Sequence, residues 1–561
     1  MKKTIGIIVF LALSLGMNAQ VWQDAYLFSE NNYIGTSRSA AMGNAMTALG
    51  GDPGSLTFNP AGSSVASYSQ IYFGSGLSIS SAYATGTVAQ GANDPVGFGD
   101  EVTSHRARYK MPNAGVIVNM DTGRRSGLKR MSFGMAFNTT NDYTHRFNAA
   151  GVNSDNSFAA SLASGADGYS MDVMKNAGWM ETGDASRMPR WIDMVGFRSG
   201  MISGVTGNDG AYIALTEEMD DKGGFHLAHP IYQEYGRQTR GFKGDILFNW
   251  SANWSDKFFL GVNLGVVTMA YSMVQYWEEK PETPSEWDEI SFSDGSKARF
   301  ESLVMKHNYK MTGDGVYAKI GAIWVPMPSV RLGAAIQTPT ATSIIEKYSY
   351  TGQSKLSGQY RGSVSSDEDT WGYSLSQPFR YNLGAAFALG KIALVSADYE
   401  YANYSHSRFG NYNSDPEDDY VFSYYDFSDT NDDIRAILGP SHALRAGLEV
   451  KPVPGIALRA GYVWQGSGIR DGVVVNGVKL HEDPKQTYSF GLGYSSPGAF
   501  YADFALRFRL MPTEFVVPYE YYYAPDSSNP YQKVVDDGVL TPEISVDSTI
   551  ADAFLTVGWR F

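Results

Sequence analysis

The amino-acid sequence predicts an all-β transmembrane barrel of about fourteen antiparallel strands, joined alternately by tight turns and by long extracellular loops that contain short helices. Three observations lead to this fold class. The chain ends on a strictly alternating strand with a terminal aromatic residue, it begins like a secreted protein, and no apolar stretch of helix length follows. Without such helices only a closed barrel can span a membrane, because every backbone polar group in lipid needs a partner.

The first 19 residues have the composition of a secretory signal peptide. Lys2 and Lys3 precede an apolar run over residues 5–15, which is too short to span a bilayer. Ala19 then offers a small residue at a plausible cleavage point before Gln20. We therefore expect the mature chain to start near residue 20 and to lie in the outer membrane of a Gram-negative bacterium.

The composition agrees with a barrel and excludes several other classes. Aromatic residues make up 14% of the chain and include 36 tyrosines, and there are 60 glycines, as expected for aromatic girdles and tight barrel bends. No cysteine is present, which excludes a lipid-anchored N-terminus, a disulfide framework and a thiolate metal site. The net charge of −14 argues against a nucleic-acid partner.

Alternation of apolar and polar residues identifies the strands. One clear example alternates Phe504, Leu506 and Phe508 with Arg507 and Arg509, and arginines are too costly for a lipid-facing row. The second row should therefore line a polar lumen. The predicted strands are residues 67–80, 106–120, 129–141, 240–252, 257–275, 302–326, 329–349, 376–389, 391–405, 441–452, 455–467, 486–496, 499–511 and 551–561.

The last strand carries a barrel-assembly signal. Leu555, Val557, Trp559 and Phe561 share one face, so the strand presents an aromatic residue at the water boundary and ends on another. We expect Trp559 and Phe561 to be recognised by the barrel-assembly machinery during biogenesis, and we expect the folded barrel to be a monomer.

The longest connection, residues 141–239, is too apolar for a simple solvated loop. Its apolar residues recur at roughly helical spacing and include Trp191, Met194, Val195 and Phe197. Two interpretations stay open. The residues could form a small core that holds the loop on the barrel rim, or they could form a landing surface that captures an apolar ligand.

Residues 20–66 precede the first strand and are rich in small residues, so this segment could pack inside a lumen. Within it Asn59, Pro60, Ala61 and Gly62 form a rigid turn, in which Pro60 holds Asn59 extended and Gly62 can take a positive φ. The combination of R-S-A-A-M-G-N-A, G-G-D and N-P-A-G ahead of the first strand resembles the hatch of the outer-membrane long-chain fatty-acid and aromatic-hydrocarbon transporters, the FadL/TodX type. The resemblance is specific over residues 38–62.

This resemblance implies three regions: a signal peptide (1–19), an N-terminal lumenal hatch (20–66) and a barrel (67–561). It implies passive, TonB-independent uptake of a hydrophobic small molecule such as a long-chain fatty acid. The ligand would cross the lipopolysaccharide layer, enter a lumenal pocket and leave sideways through a kinked third strand when the hatch shifts. By position that strand is residues 131–141, and Gly134, its only glycine, is the candidate for the kink.

Other chemistry has weaker support, and we expect no cofactor and no metal. His226 and His229 could contact haem or a metal but lack a partner at fixed spacing. Two acidic clusters could bind calcium, although their spacing fits no known loop; they are Asp415, Glu417, Asp418, Asp419, and Asp429, Asp432, Asp433.

A lipase would need a serine beside His145 or His442, and no nucleophile motif is present, so we expect no enzyme. A structural or adhesive barrel remains the alternative to transport.

Overall fold

The computed structural model describes residues 9–11, 21–87, 95–179, 188–221, 224–291, 297–358, 361–390, 392–412, 425–475, 478–520 and 541–561. Fourteen antiparallel strand positions form one closed ring, and several positions consist of two consecutive segments. They are β1 (Gln70–Gly86), β2 (Val102–Lys110 and Asn113–Asp121), β3 (Leu128–Asp142 and His145–Asn153), β4 (Ile231–Trp254), β5 (Phe258–Pro281), β6 (Phe300–Met327), β7 (Val330–Gln337 and Ala341–Leu356), β8 (Asp369–Ser376 and Arg380–Leu389), β9 (Ala393–Asn403 and Arg408–Asn411), β10 (Pro440–Val453), β11 (Ile456–Gln465), β12 (Lys485–Ser495), β13 (Phe500–Leu510) and β14 (Ile544–Arg560).

The first and last strands close the ring. They pair without interruption from Gln70 opposite Arg560 to Gly86 opposite Ile544. Each predicted strand corresponds to one ring position, so the predicted fold class is confirmed.

Short helices and strands lie outside the ring ladder. The helices are α1 (Trp22–Ser29), α2 (Ser37–Ala41), α3 (Ser55–Phe58), α4 (Phe158–Ala166), α5 (Met171–Asn176), α6 (Trp191–Arg198) and α7 (Ser428–Ile437), with 3-10 turns at Pro60–Val65 and Tyr404–His406. The short strands are Val9–Leu11, Ile202–Gly204, Tyr212–Ala214, Glu217–Met219, Phe225–Leu227, Ile290–Ser291, Lys297–Ala298, Arg361–Ser365, Val474–Val475, Val478–Lys479 and Glu514–Val517. No helix in the described part of the chain is long and apolar enough to cross a membrane.

The two faces of the ring differ as the alternation predicts. On β13, Phe504 and Phe508 are 41% and 46% exposed on the outside, whereas Arg507 and Arg509 are buried on the inside. On β14, Leu555 and Trp559 face outward. An apolar outer band around a closed ring with a polar interior is the architecture of a barrel that spans the outer membrane.

The strand ends are predicted well at the short turns and poorly at the long loops. β3 continues to Asn153 and β4 begins at Ile231, so the connection expected over residues 141–239 spans 154–230. Above the lipid the outer face no longer needs apolar residues, and the alternation that marked these strands in the sequence fades although the ladder continues.

Residues 21–66, which we call the N-terminal segment, lie inside the ring and are mostly buried. Polar side chains of the wall hold this segment. Arg38 forms an ion pair of 2.9 Å with Glu449 of β10, and the Thr47 amide donates to Asp398 Oδ2 of β9 at 2.7 Å. The segment is therefore held inside the ring by specific contacts with the wall.

Candidate functional site

The barrel wall is not continuous between β2 and β3. Their lower segments pair in register, with Asn113 opposite Asn138 at the upper end of that ladder. Above this point Val102–Lys110 pairs with β1 and His145–Asn153 pairs with β4, and within the described residues no ladder joins these two segments to each other. We call this break in the wall the seam.

Isolated polar contacts, rather than a continuous ladder, close the seam: the Thr139 amide donates to the Pro112 carbonyl at 2.8 Å, and the Asn148 amide donates to Ser104 Oγ at 3.1 Å. Arg108 Nη1 donates to the Gly241 carbonyl at 3.1 Å and also to Thr144 Oγ1. Lys110 forms an ion pair with Asp142. Isolated contacts of this kind can break without the loss of a strand ladder, so the wall is less continuous here than where ladders join its strands.

The N-terminal segment is bonded to the inner side of the seam. Thr140 is an extra residue in β3, because Lys243 pairs with Asn141 and Gly244 pairs with Thr139. The Asn32 amide donates to the Thr140 carbonyl at 2.7 Å, and the Ile34 amide donates to the Thr139 carbonyl at 3.3 Å. The segment thus takes the place of the missing neighbour of β3.

A cavity of about 260 Å³ lies inside the barrel beside the seam. Three regions line it: α1, the break in β3 at residues 141–145, and the inner face of the surrounding strands and their loops. Its surface is mainly aromatic and aliphatic, and its apolar members include Trp22, Leu27, Tyr143, Tyr271, Met273 and Ile550. A concave apolar site with a few polar groups is the usual form of a small-molecule pocket.

The charges around the cavity are largely neutralised. Lys485 forms an ion pair with Glu30, and Arg237 forms one with Glu514. Burial raises the pKa of Asp24 in α1 to about 7, against the opposing effect of its hydrogen bond from the Val21 amide. The site therefore suits a ligand that is largely apolar.

The turn predicted at residues 59–62 is a tight junction between the N-terminal segment and the wall. Asn59 has extended backbone angles, with φ −144° and ψ 114°, and its Oδ1 accepts from the Ala61 amide at 3.1 Å. The backbone of Gly62 is not in the left-handed region. A Cβ added to Gly62 would lie 2.3 Å from Ser55 Oγ, which is closer than two such atoms can approach. The expected positive φ at Gly62 is wrong, and close packing is the reason that glycine fits.

Sequence reasoning missed the wall residues that receive this segment. On several strands an inward glycine touches it, so that an added Cβ would meet its backbone or side chains: Gly261, Gly321, Gly333, Gly384, Gly447 and Gly461. The sequence did contain a possible signal of this contact: glycines recur at inward positions at one level of neighbouring strands. Most other inward positions in the described strands carry polar side chains, so these glycines indicate a place where something packs closely against the wall.

The structure places the strand irregularity away from Gly134. Gly134 pairs in unbroken register with Ile117 of β2 and Asn249 of β4. The third strand is interrupted as expected, but at Thr140 and again at residues 143–144. The kink expected at Gly134 is therefore wrong, because the strands on both sides hold Gly134 in a regular ladder.

The four residues expected to capture ligand form a core and not an open surface. Met194 and Val195 of α6 are fully buried, and Trp191 and Phe197 pack against their cluster. Trp191 contacts Tyr348 of β7, with ring centroids 5.5 Å apart. Helices α4 to α6 thus hold the long loop on the rim, which is the first of the two interpretations left open by the sequence.

The remaining chemical candidates are not assembled into sites. Within the described residues no group of three or more metal-ligating side chains occurs; residues 415–419 lie outside them, as do residues 1–8 and 12–19 of the expected signal peptide. His226 binds Glu218 at 3.0 Å on an exposed hairpin. His145 Nε2 lies 2.8 Å from Ser548 Oγ, but its Nδ1 has no hydrogen-bond partner in the described chain, so the orienting acid of a triad is not supplied there.

No protein-family model matches the chain, and no curated protein matches it. Among solved structures, the toluene transporter TbuX of Ralstonia pickettii is 12% identical with a TM-score of 0.43, over 94% of this chain and 98% of that chain. A FadL homologue of Pseudomonas aeruginosa is 12% identical with a TM-score of 0.47, over 94% of this chain and 99% of that chain. The toluene transporter TodX of Pseudomonas putida is 10% identical with a TM-score of 0.44, over 94% of this chain and 99% of that chain. These structures are of the FadL and TodX type that residues 38–62 resemble, and at such identities the likeness concerns the fold alone.

Proposed function

We propose that the protein takes up hydrophobic small molecules passively across the outer membrane, without TonB. The observation that carries this proposal is the apolar cavity that lies between the N-terminal segment and the seam. A long-chain fatty acid or an aromatic hydrocarbon gains about 0.8 kcal/mol for each CH₂ that it buries in such a site. Removal of the ligand on the far side then keeps the flow inward.

The N-terminal segment acts as a hatch in this proposal. Because the Asn32 amide bonds to Thr140, the extra residue of β3, and the Ile34 amide bonds to its neighbour Thr139, a shift of the segment must release or move β3 at the seam. The seam is held by isolated hydrogen bonds and ion pairs and not by a ladder, so it can widen without breaking a ladder. The ligand leaves the cavity sideways into the bilayer through this gap.

A reversible cross-link tests the movement of the hatch. Asn32 Nδ2 donates to Asn141 Oδ1 at 3.2 Å, so cysteines at these two positions are within reach of a disulfide, and the chain has no cysteine of its own. We expect oxidised Asn32→Cys/Asn141→Cys protein to lose uptake of labelled oleate or toluene in cells, and a reductant to restore it.

The matched control is Thr351→Cys/Ser365→Cys, a pair of exposed cross-strand neighbours whose hydroxyl oxygens are 3.0 Å apart in β7 and its loop. Oxidation of this pair should leave uptake unchanged. Full uptake by the oxidised hatch pair, with the cross-link verified by mass spectrometry, would contradict the proposed route while leaving the barrel intact. A structural or adhesive role would then become the better account.

A further inference from the structure

The helices of the long loop lie against the inner face of the wall at the long-loop end of the ring. At this level a row of inward residues crosses five neighbouring strands in register: Ala149, Tyr235, Trp277, Met305 and Gly352. Phe158 of α4 stacks on Trp277 with ring centroids 5.1 Å apart, and a Cβ at Gly352 would lie 2.7 Å from Val195 Cγ1 of α6. The helices therefore lie within the extracellular mouth of the ring.

Helices α4, α5 and α6 form one packed unit, which we call the lid. Arg198 of α6 donates to the Met174 carbonyl at 2.9 Å and to the Ala177 carbonyl at 2.6 Å, and so ties α6 to the end of α5. A Cβ at Gly196 of α6 would lie 2.8 Å from Leu162 Cδ1 of α4, so these two helices are in close contact. Such contacts within the lid allow it to move as one body.

The lid separates the cavity from the outside. Tyr235 and Val516 belong both to the apolar core around the lid and to the lining of the cavity. Ile192 and Met194 of the lid are fully buried in the same core. A ligand that arrives at this side of the mouth meets side chains packed as in a protein interior, and it reaches the cavity there only if the lid moves.

One buried carboxylate holds the start of the lid. Glu279 of β5 is 1% exposed and accepts from the Phe158 amide at 2.5 Å and from the Ala159 amide at 3.3 Å, both at the start of α4. It also accepts from Gln233 Nε2 at 2.7 Å. Within the described residues no lysine or arginine forms an ion pair with it. Burial of a carboxylate without a cation is unfavourable, and this penalty is relieved when water reaches the group.

We propose that the lid opens to admit ligands to the cavity and that Glu279 is the latch that holds it closed. This inference rests on the proposed function, to which it adds the entrance. When the lid leaves the wall, the Glu279 carboxylate becomes hydrated and the apolar inner row of β3 to β7 is uncovered. An apolar ligand covers part of that row, so opening is less unfavourable in its presence than in its absence.

A reversible cross-link tests whether the lid must move. A Cβ at Gly352 of β7 would lie 3.2 Å from the Cβ of Ser199, the residue that follows α6, which is slightly less than the usual spacing in a disulfide. We expect oxidised Ser199→Cys/Gly352→Cys protein to take up labelled oleate or toluene about tenfold more slowly than the same protein after reduction. Oxidised Thr351→Cys/Ser365→Cys protein, cross-linked on the wall alone, should keep its uptake.

A labelling experiment tests the latch without relying on transport. Met273 lines the cavity, so Met273→Cys in the purified full-length protein reports access to it. All three partners of Glu279 are donors, so Glu279→Gln sets its own amide donor against at least one of them and should raise the rate of labelling by N-phenylmaleimide about tenfold. The matched control is Glu278→Gln, the next residue on the opposite face of β5, which should label as Met273→Cys alone does. Heat-modifiable migration in gels establishes that the barrels are folded.

The two experiments separate this inference from the proposed function. Equal uptake by the oxidised and the reduced lid pair, with the cross-link verified by mass spectrometry, would overturn the lid as the entrance while uptake itself stands. Equal labelling in Glu279→Gln and Glu278→Gln would overturn the latch. If wild-type cells take up neither compound but labelling still rises in Glu279→Gln, the lid and its latch are supported and the proposed function fails.

Discussion

The side-chain amide of Asn59 donates a hydrogen bond of 3.0 Å to the carbonyl oxygen of Ala322 in the barrel wall. The same nitrogen lies 2.8 Å from the Thr47 carbonyl, within the N-terminal segment. One buried amide therefore joins two parts of the segment to β6. If the segment moves during transport, this junction is among the contacts that must break or travel with it.

Replacing Asn59 and Pro60 by alanine should loosen the N-terminal segment without preventing barrel assembly. The change leaves buried carbonyls without donors, at a cost of about 1–3 kcal/mol, while the ladders of the ring stay intact. We expect faster hydrogen exchange over residues 21–66, altered uptake and normal heat-modifiable migration. Asn208→Ala, on an exposed loop, is the control. Loss of the folded barrel from the membrane would show instead that the turn is needed for assembly.

A side chain at Gly321 should separate the segment from the wall. A Cβ at this position would overlap Asn59 and Pro60, and Gly321→Val should cost about 1–3 kcal/mol by overpacking. The expected result is the same loosening of residues 21–66 as in the Asn59 variant, measured by hydrogen exchange. Gly498→Val, whose Cβ would meet only the Ser496 hydroxyl at 3.8 Å, is the control. Equal exchange in both variants would contradict the close contact.

Retention of a neutral apolar ligand should fall as the pH rises through about 7. Below this value the raised pKa of Asp24 keeps its carboxyl protonated and neutral, and above it a charge appears at the cavity wall. The folded protein holds this proton more tightly than the unfolded chain, so the same rise in pH also lowers stability, starting from the unfolded pKa near 4.

Asp24→Asn should remove this pH dependence, because its amide stays neutral. Ligand retained through purification at pH 6 and pH 8 is measured by mass spectrometry of the extracted protein. Burial also raises the pKa of Glu482, which lines the same cavity, so Glu482→Gln is the companion variant. A pH dependence that persists in Asp24→Asn and disappears in Glu482→Gln would reassign the titrating group.

The sequence predicted the ring because lipid imposes a rule on each residue of a spanning strand. Leu506 must be apolar and Arg507 must face inward, so their order reveals the fold without any tertiary information. The seam follows no such rule. It depends on which strand edges meet, and Pro112, which cannot donate to a ladder, was the one local sign of a break in β2.

The cavity was also out of reach of sequence reasoning. It brings Trp22, Tyr143 and Ile550 together from distant parts of the chain, and only the path of the N-terminal segment through the lumen decides that they meet. The residues of α6 show a different limit. Helical spacing indicated that Met194 and Val195 lie on one apolar face, but it could not show whether that face is buried in a core or exposed to a ligand; in the structure it is buried.

Deleting Trp559 to Phe561 should block assembly of the barrel. These residues complete the closing ladder: Trp559 pairs with Ile71, the Phe561 amide donates to the Ser69 carbonyl at 2.9 Å, and the Phe561 backbone oxygen accepts from the Ser69 amide at 3.0 Å. Trp559 also packs on Phe500 of β13, with ring centroids 5.5 Å apart. Without them the short-turn end of the ring keeps two unpaired edges in or near lipid, which a barrel cannot tolerate.

The measurement is the amount of heat-modifiable barrel in purified outer membranes. The control is Trp559→Phe/Phe561→Tyr, which keeps the full length, the backbone pairing and an aromatic side chain at each position, and should assemble normally. If the deleted protein reaches the membrane and folds as well as this control, the last three residues neither close the ring nor signal assembly. If the control also fails, assembly depends on the individual side chains of Trp559 and Phe561 rather than on aromatic character and backbone closure.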